Sequence, residues 1–266
     1  MKAIEICNLL LNNAAERHEP TCDIINSGDG GREVKKAATC FKATAEVVAK
    51  AIDEGVDLLI MHEPLYSREH PTEEKLKYDK VKKEMIDKSG IVIFRYHDHA
   101  HLSEPDFIHE GYIRTLGLDC TRLPGGSFGV LPYELAQPTT VRGLAKLSGE
   151  KLGVKNPHII GDPSLPVKKV MLGLGWVNSG AVERLLDSDC DVMVTGENNE
   201  VFDCEYMRDA VYFGAKKAII MLGHCGSEYA GMRYLAEWMT ERIIPTEYIH
   251  CGGLYRTAED DELRMR

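Results

Sequence analysis

Residues 91–101 read Ile91-Val92-Ile93-Phe94-Arg95-Tyr96-His97-Asp98-His99-Ala100-His101. The first half is apolar and rich in β-formers, the composition of a buried strand. The second half places three imidazoles at alternate positions. If the strand persists, His97, His99 and His101 share one face, because successive side chains of a strand alternate. If it ends near Tyr96, they decorate a loop at its tip. Either geometry can hold a metal ion, and either is compatible with a solvated loop that happens to be rich in histidine.

The same grammar recurs outward from this stretch. Asp57-Leu58-Leu59-Ile60-Met61 reads as a buried strand and empties into His62-Glu63-Pro64. Residues 191–197 (DVMVTGE) end in Glu197, and residues 217–223 (KAIIMLG) run into His224-Cys225-Gly226-Ser227-Glu228. Short strands are also predicted at 36–41, 157–160, 168–175 and 245–250. Between them the 3.6-residue period predicts helices over 2–17, 43–54, 72–89, 104–116, 141–152, 179–188, 201–214 and 227–242. Pro105 is placed at the start of the fourth helix, Ser179 opens the sixth, and Ser227 is the expected N-cap of the last. Strands alternating with helices indicate a largely parallel α/β fold. Residues 121–132 (TRLPGGSFGVLP) interrupt the alternation and read as a linker or crossing between two α/β units.

Bulk properties narrow the function classes. The chain has 266 residues, 44% hydrophobic and 28% charged, and a formal net charge of −10. That acidity disfavours nucleic acid or an anionic membrane as the main partner. No 18-residue apolar run predicts a membrane span, and the first 20 residues lack a signal-peptide pattern. The eight cysteines form no C-x-x-C pair, so reduced thiols of a cytoplasmic protein are expected. The glycines at 28, 30 and 31 do not make a phosphate loop, because the Gly-Lys-Ser/Thr ending is missing.

In open α/β sheets ligands collect beyond the carboxyl ends of strands. Histidine and carboxylate at several such ends supply the neutral nitrogen and anionic oxygen of a metal centre. His224 and Glu228 are four residues apart, with Glu228 in the first turn of a helix, where a carboxylate is favoured. Taken singly, each segment also has a plain reading: His62-Glu63 as an exposed loop, Cys225 as a small loop residue, Arg68 and Arg95 as surface charges, and the histidines at 18, 70, 109, 158 and 250 as ordinary ones.

In combination and in this order, the segments TCFKATAEVVAKAIDEGVDLLIMHEPLYS, IVIFRYHDHAHLSEPD, DVMVTGENNE and GHCGSEYAGMRYLAEWM resemble those of the Nif-three-like dinuclear-metal proteins, also called type 2 GTP cyclohydrolase I homologues. The resemblance spans roughly residues 36–240. It implies an α/β protein of two similar three-layer halves with mixed sheets, residues 1–122 with 226–266 forming the half that carries most metal ligands and 123–225 the other. It also implies a toroidal homohexamer with two divalent ions per subunit, zinc, iron or manganese. His62, His224 and Glu228 match family ligands directly. Two positions depart: Glu63 stands where the family has a second histidine, and His101 where it has an aspartate. The set His62, Glu63, His101, His224, Glu228 then keeps three imidazoles and two carboxylates, as if one of each had exchanged places. The implied activity is hydrolysis of a small anionic molecule, GTP cyclohydrolase-like by resemblance, with His97, His99 and Glu197 as proton-moving or substrate-facing residues. The alternative is a metal-stabilised hexameric scaffold or interaction or regulatory protein without catalysis. A reading of the HDHAH stretch as a metallo-β-lactamase motif ranks last, since Ala100-His101 stands where an Asp-His pair is required.

Overall fold

Alternation of apolar side chains along three fully buried strands sets the layers of the molecule, seen here in a computed structural model that describes residues 1–16, 18–66, 76–177 and 180–254. After helix α1 (Ala3–Leu11) and strand β1 (Ile25–Ser27), the chain forms β2 (Ala37–Cys40), α2 (Ala45–Asp53), β3 (Leu58–Met61), α3 (Lys77–Ser89) and β4 (Val92–Arg95). Along β3, Leu58 and Ile60 point to one face and join α1, while Leu59 and Met61 point to the other and pack with α2 and α3 through Val47, Val48, Ala51 and Ile86. Strands covered on both faces bury continuous apolar runs, each such side chain contributing about 1.5–3 kcal/mol.

A one-turn helix α4 (Asp98–His101) and helix α5 (Phe107–Leu116) lead to β5 (Cys120–Arg122), β6 (Leu131–Thr140), α6 (Val141–Leu152), β7 (His158–Ile160), β8 (Pro166–Trp176), α7 (Ala181–Asp187) and β9 (Val192–Glu197). A five-residue π-helical turn, Glu200–Cys204, precedes α8 (Glu205–Tyr212), β10 (Ala218–Met221), α9 (His224–Arg242) and β11 (Thr246–Tyr248). The strands make two sheets, ordered β1-β4-β3-β2-β11 and β5-β6-β8-β9-β10-β7. The first is parallel apart from β1; in the second, β8, β9 and β10 are parallel and the rest antiparallel.

Helices α5, α6 and α9 lie between the sheets, and one core joins Ile60 and Phe94 of the first sheet to Leu172 and Val194 of the second through Ile108, Leu144, Met232 and Leu235. Helices α5 and α9 meet backbone to backbone. A Cβ on Gly111 would sit 2.4 Å from the Ala230 carbonyl oxygen, and one on Gly231 2.5 Å from Ile108 Cα. The Thr39 hydroxyl donates to the Met232 carbonyl at 2.7 Å and pins α9 to β2. The outer faces are covered by α2 and α3 on one side, and by α7 with Met207 of α8 on the other.

Several expectations change. The fold is α/β with mixed sheets, as the resemblance implies, and not largely parallel as the strand–helix alternation alone suggests. Residues 121–132 are no simple linker, because β5 and β6 pair antiparallel from Cys120–Leu135 to Arg122–Tyr133 and belong to the second sheet. The first helix stops at Leu11, and Pro105 lies outside α5, whose cap is Asp106 accepting from Ile108 and His109 N–H. The helix expected over 201–214 begins as a π turn. Ser179 and residues 67–75, with Arg68 and His70, lie outside the described residues. Among the described residues no helix is long and apolar enough to cross a membrane.

Candidate metal centre

The histidine-rich stretch neither continues the strand nor hangs as a loop. It turns into α4 because the buried Asp23 carboxylate accepts the N–H groups of His97 at 2.6 Å, Asp98 at 3.0 Å and His99 at 2.8 Å. An acid in that position satisfies the otherwise unpaired donors of a helix start. Helical spacing then sends His97 and His101, four apart, to one side and His99 to the other. His99 is 2% exposed and turned away: its Nδ1 meets Asp23 Oδ2 at 2.8 Å, and its Nε2 accepts from the His18 N–H. Of the two geometries the sequence left open, strand face or loop, the backbone takes neither, and His99 faces Asp23 rather than the other imidazoles.

Helix α9 is the second surprise. It begins at His224, three residues earlier than expected, so Ser227 is no N-cap: its hydroxyl donates to the His224 carbonyl and accepts from Gly175 N–H. His224 and Glu228 consequently face the same way, one turn apart. His62 and Glu63 follow β3 directly, both N–H groups donating to the Phe41 carbonyl.

Four imidazoles converge. Each is fixed at Nδ1 by an acceptor: His62 by the Tyr96 carbonyl (3.1 Å), His97 by Asp98 (2.9 Å), His101 by Asp106 (3.2 Å) and His224 by Glu197 (2.9 Å). Their Nε2 atoms turn toward two carboxylates, Glu228, which is buried, and Glu63, which is half-buried. Glu228 Oε1 is 3.7 Å from His62 and 4.0 Å from His101, and its Oε2 is 3.2 Å from His224. Glu63 Oε1 lies 3.3 Å from His224 and 3.9 Å from His97. The two departures from the family pattern, Glu63 and His101, thus both point inward, on opposite sides of Glu228. His97 stands among the donors too: its ring lies 4.4 Å from that of His62 and 5.3 Å from that of His101. The donor atoms of His62, His97 and His101, and those of His62, Glu63 and Glu228, lie close enough together to hold an ion.

Carboxylate and imidazole shift one another across the cluster. Burial opposes ionisation of Glu63, yet contact with His224 and His62 holds its carboxyl down at about 2. Glu228, fully buried, is likewise held well below the usual range by His62 and His224. Burial disfavours the imidazolium of His224, but hydrogen bonds to Glu228 and Glu63 raise it to about 11. His101 is raised to about 9 by Asp106 against the same burial. His97, desolvated and next to His62, is lowered.

Divalent ions fit these residues. His62 Nε2 is buried without a hydrogen-bond partner, although such an atom is normally satisfied. Fixing Nδ1 and presenting Nε2 is how metal-binding histidines are oriented. The fold makes room for the carboxylate: a Cβ at Gly175, whose φ is +74°, would come within 2.2 Å of Glu228 Oε1. The donors open on a cleft of about 690 Å³ whose lining includes Thr21, Cys22, Phe128, Trp176, Arg95 and Arg184.

Sequence reading missed His97 as a donor and the anchors Asp23, Asp98 and Asp106. The i, i+4 spacing of His97 and His101 was the available signal, visible once the stretch is read as helix. Glu197 sits on the outer side of His224, with 49% of its side chain exposed. His109, expected to be ordinary, is fully buried behind Asp106, with Nδ1 3.2 Å from the Tyr133 hydroxyl.

Known proteins share the sequence and the architecture. A protein of Clostridium perfringens named GTP cyclohydrolase 1 type 2 homolog is 24% identical over 252 residues, 91% of this chain and 93% of its own. A Haemophilus influenzae protein of the same name is 23% identical, over 80% of this chain and 82% of its own. Among solved structures, protein ybgI, of unknown function, superposes with a TM-score of 0.77 at 21% identity, covering 95% of this chain and 99% of its own. Reduced HcgD from Methanocaldococcus jannaschii superposes at 0.74 with 16% identity, covering 93% and 97%. The profile of Duf34/NIF3 (NGG1p interacting factor 3) matches residues 24–249, nearly the whole chain, so the chain belongs to that family.

Proposed function

We propose that the chain is a metal-dependent hydrolase that holds two divalent ions and acts on a small anionic molecule, a nucleotide being the first class to try. The observation that carries this reading is the convergence of four Nδ1-anchored imidazoles on two carboxylates, Glu228 buried and Glu63 half-buried, with His62 Nε2 buried and without a hydrogen-bond partner. Six donors exceed what one four-coordinate ion takes. The two oxygens of Glu228 face different partners, His62 and His101 on one side and His224 on the other, which suits a bridging carboxylate. Zinc, iron and manganese all accept this mixture of nitrogen and oxygen. When bound, such ions supply Lewis acidity and lower the pKa of a neighbouring water.

The protein's own groups do the rest. Asp98, Asp106 and Glu197 hold His97, His101 and His224 in orientation. Glu197, half exposed beside His224, is the group placed to exchange a proton with solvent. Phe128 and Trp176, both substantially exposed, offer apolar surface to a substrate in the cleft, and Arg95 and Arg184 line it with positive charge. The GTP cyclohydrolase name belongs to the relatives and supports a nucleotide only by kinship. A homohexamer is part of the same reading. The exposed side chains of Val201, Phe202, Tyr212 and Phe213 around α8 support self-association.

Elemental analysis of the purified protein, with a nucleotide and phosphoester hydrolysis screen, tests the proposal. Close to two transition-metal ions per chain and a hydrolytic activity lost in His224→Ala are expected. Less than one tightly held ion per chain, or activity unchanged in that variant, would reject it.

A further inference from the structure

Cys225 and Cys251 are 26 positions apart, yet their sulfurs lie 3.4 Å from one another. Two independently anchored backbones bring them together. Cys225 is the second residue of α9, directly after His224, and α9 is pinned to β2 by Thr39. Cys251 follows β11, which pairs in parallel with β2 from Thr246–Ala37 to Tyr248–Thr39. Both thiols also lie near the Gly252 carbonyl, at 3.8 and 3.6 Å. Both are partly exposed, whereas Cys7, Cys40, Cys190 and Cys204 are buried. Neither thiol has a part in the metal reading above. Contact between two accessible thiols, one of them adjacent to a donor of the metal centre, is a chemical arrangement in its own right.

We propose that Cys225 and Cys251 are a reversible dithiol–disulfide pair which a hydroperoxide oxidises, and that its closure displaces His224. One thiolate attacks a peroxide oxygen; the O–O bond breaks, the other oxygen leaves with its substituent as water (from hydrogen peroxide) or an alcohol after protonation, and a sulfenic acid remains. The second thiolate attacks that sulfur, the S–S bond forms, and the sulfenic oxygen leaves as water. Two electrons pass from the two thiols to the peroxide. A dithiol reductant reverses the change by exchange. A disulfide is about 2.05 Å long, so the sulfurs must approach by about 1.4 Å. Cys225 sits in the first turn of α9 beside His224, so any part of that approach made from the α9 side moves the turn that carries His224. His224 is the neighbouring residue, and its hold on Glu63, Glu197 and Glu228 depends on where that turn lies.

The disulfide stands on geometry alone; its effect on His224 rests on the metal reading. The test uses the full chain loaded with manganese(II), an ion that thiolates hold weakly. After stoichiometric hydrogen peroxide, free thiols are alkylated and the tryptic peptides analysed. Peptides 218–233 and 243–256 each contain one cysteine. They are expected cross-linked, and separated again by dithiothreitol. Oxidised protein should also lose manganese to a chelator about tenfold faster than reduced protein, the range expected when a group supporting a metal ligand is disturbed. Cys251→Ser should form no cross-link and release manganese at the reduced rate with or without peroxide, and Cys225→Ser should likewise form none. Peptides alkylated at both cysteines after peroxide would overturn the proposal, and a cross-link with unchanged release would overturn its coupling to His224. Reduced protein that holds no manganese would refute the metal reading instead, with the cross-link still decided by mass spectrometry.

Discussion

At the scale of single residues the centre depends on a few short distances. His101 and Asp106 are both buried, and the pair gives the metal-free protein a pH signature. The His101 imidazole is raised from an ordinary 6.5 to about 9. Its contribution to stability is therefore fully present below about 6.5 and is lost as pH rises through about 9. Chemical denaturation of the metal-free protein between pH 6 and 10 should show this loss, and Asp106→Asn should flatten it. Metal ligands bind deprotonated and the imidazoles of His101 and His224 are both raised, so loading a divalent ion at pH 7 should release protons and apparent affinity should climb with pH. Calorimetry in buffers of different ionisation enthalpy measures that release. Gly175→Ala places a methyl carbon against Glu228 and strains a positive φ. Lower metal content and a loss of about 1–3 kcal/mol are expected, read by elemental analysis and urea titration.

At the scale of elements, α4 deserves comparison with its strand. Sequence pattern made β4 legible because Ile91–Phe94 is apolar and β-branched or aromatic. It did not reveal α4, since a one-turn helix has too few residues for periodicity and owes its start to Asp23, far back in the chain. Asp23→Ala should leave three N–H groups without their acceptor, that of His99 buried and those of His97 and Asp98 partly so, at about 1–3 kcal/mol each at most. The expected outcome is a folded but destabilised chain in which His97 and His101 are no longer held, with metal affinity reduced about 10–100-fold. Wild-type affinity in a folded Asp23→Ala would contradict this account of α4. The same lesson holds at α9. Ser227 looked like a cap because serine commonly caps, but its hydroxyl is committed to Gly175 of β8, and the helix is free to begin at His224. Strands β5 and β6 were obscured by the Pro- and Gly-bearing stretch 121–132, which reads as a break whether or not a hairpin closes across it.

At the scale of the whole molecule, two sheets share the helices between them. The centre sits where the ends of β3, β4 and β9 approach the start of α9, which packs against strands of both sheets. Donors separated by up to 166 positions, His62 to Glu228, meet because the fold brings strand ends together. The exposed aromatic side chains around α8 belong to this scale. Phe213, 83% exposed, is a peripheral residue whose replacement spares the core. In the proposed hexamer, Phe213→Glu should shift the molar mass by light scattering toward smaller species while thermal stability of the subunit stays within about 0.5 kcal/mol of the original. An unchanged mass would place the subunit contacts elsewhere.

Local pattern by itself determined the α/β alternation, the positions of the main strands and most helices, and the strand ends at which histidine and carboxylate gather. Those features depend on side-chain period and polarity, which are written residue by residue. Tertiary structure alone decided that His97 joins the donors while His99 turns to Asp23, that Glu63 and His101 point inward, and that Cys225 meets Cys251. Each of these turns on a hydrogen bond or a packing contact between segments remote in sequence, and no local period encodes which partner a side chain will meet.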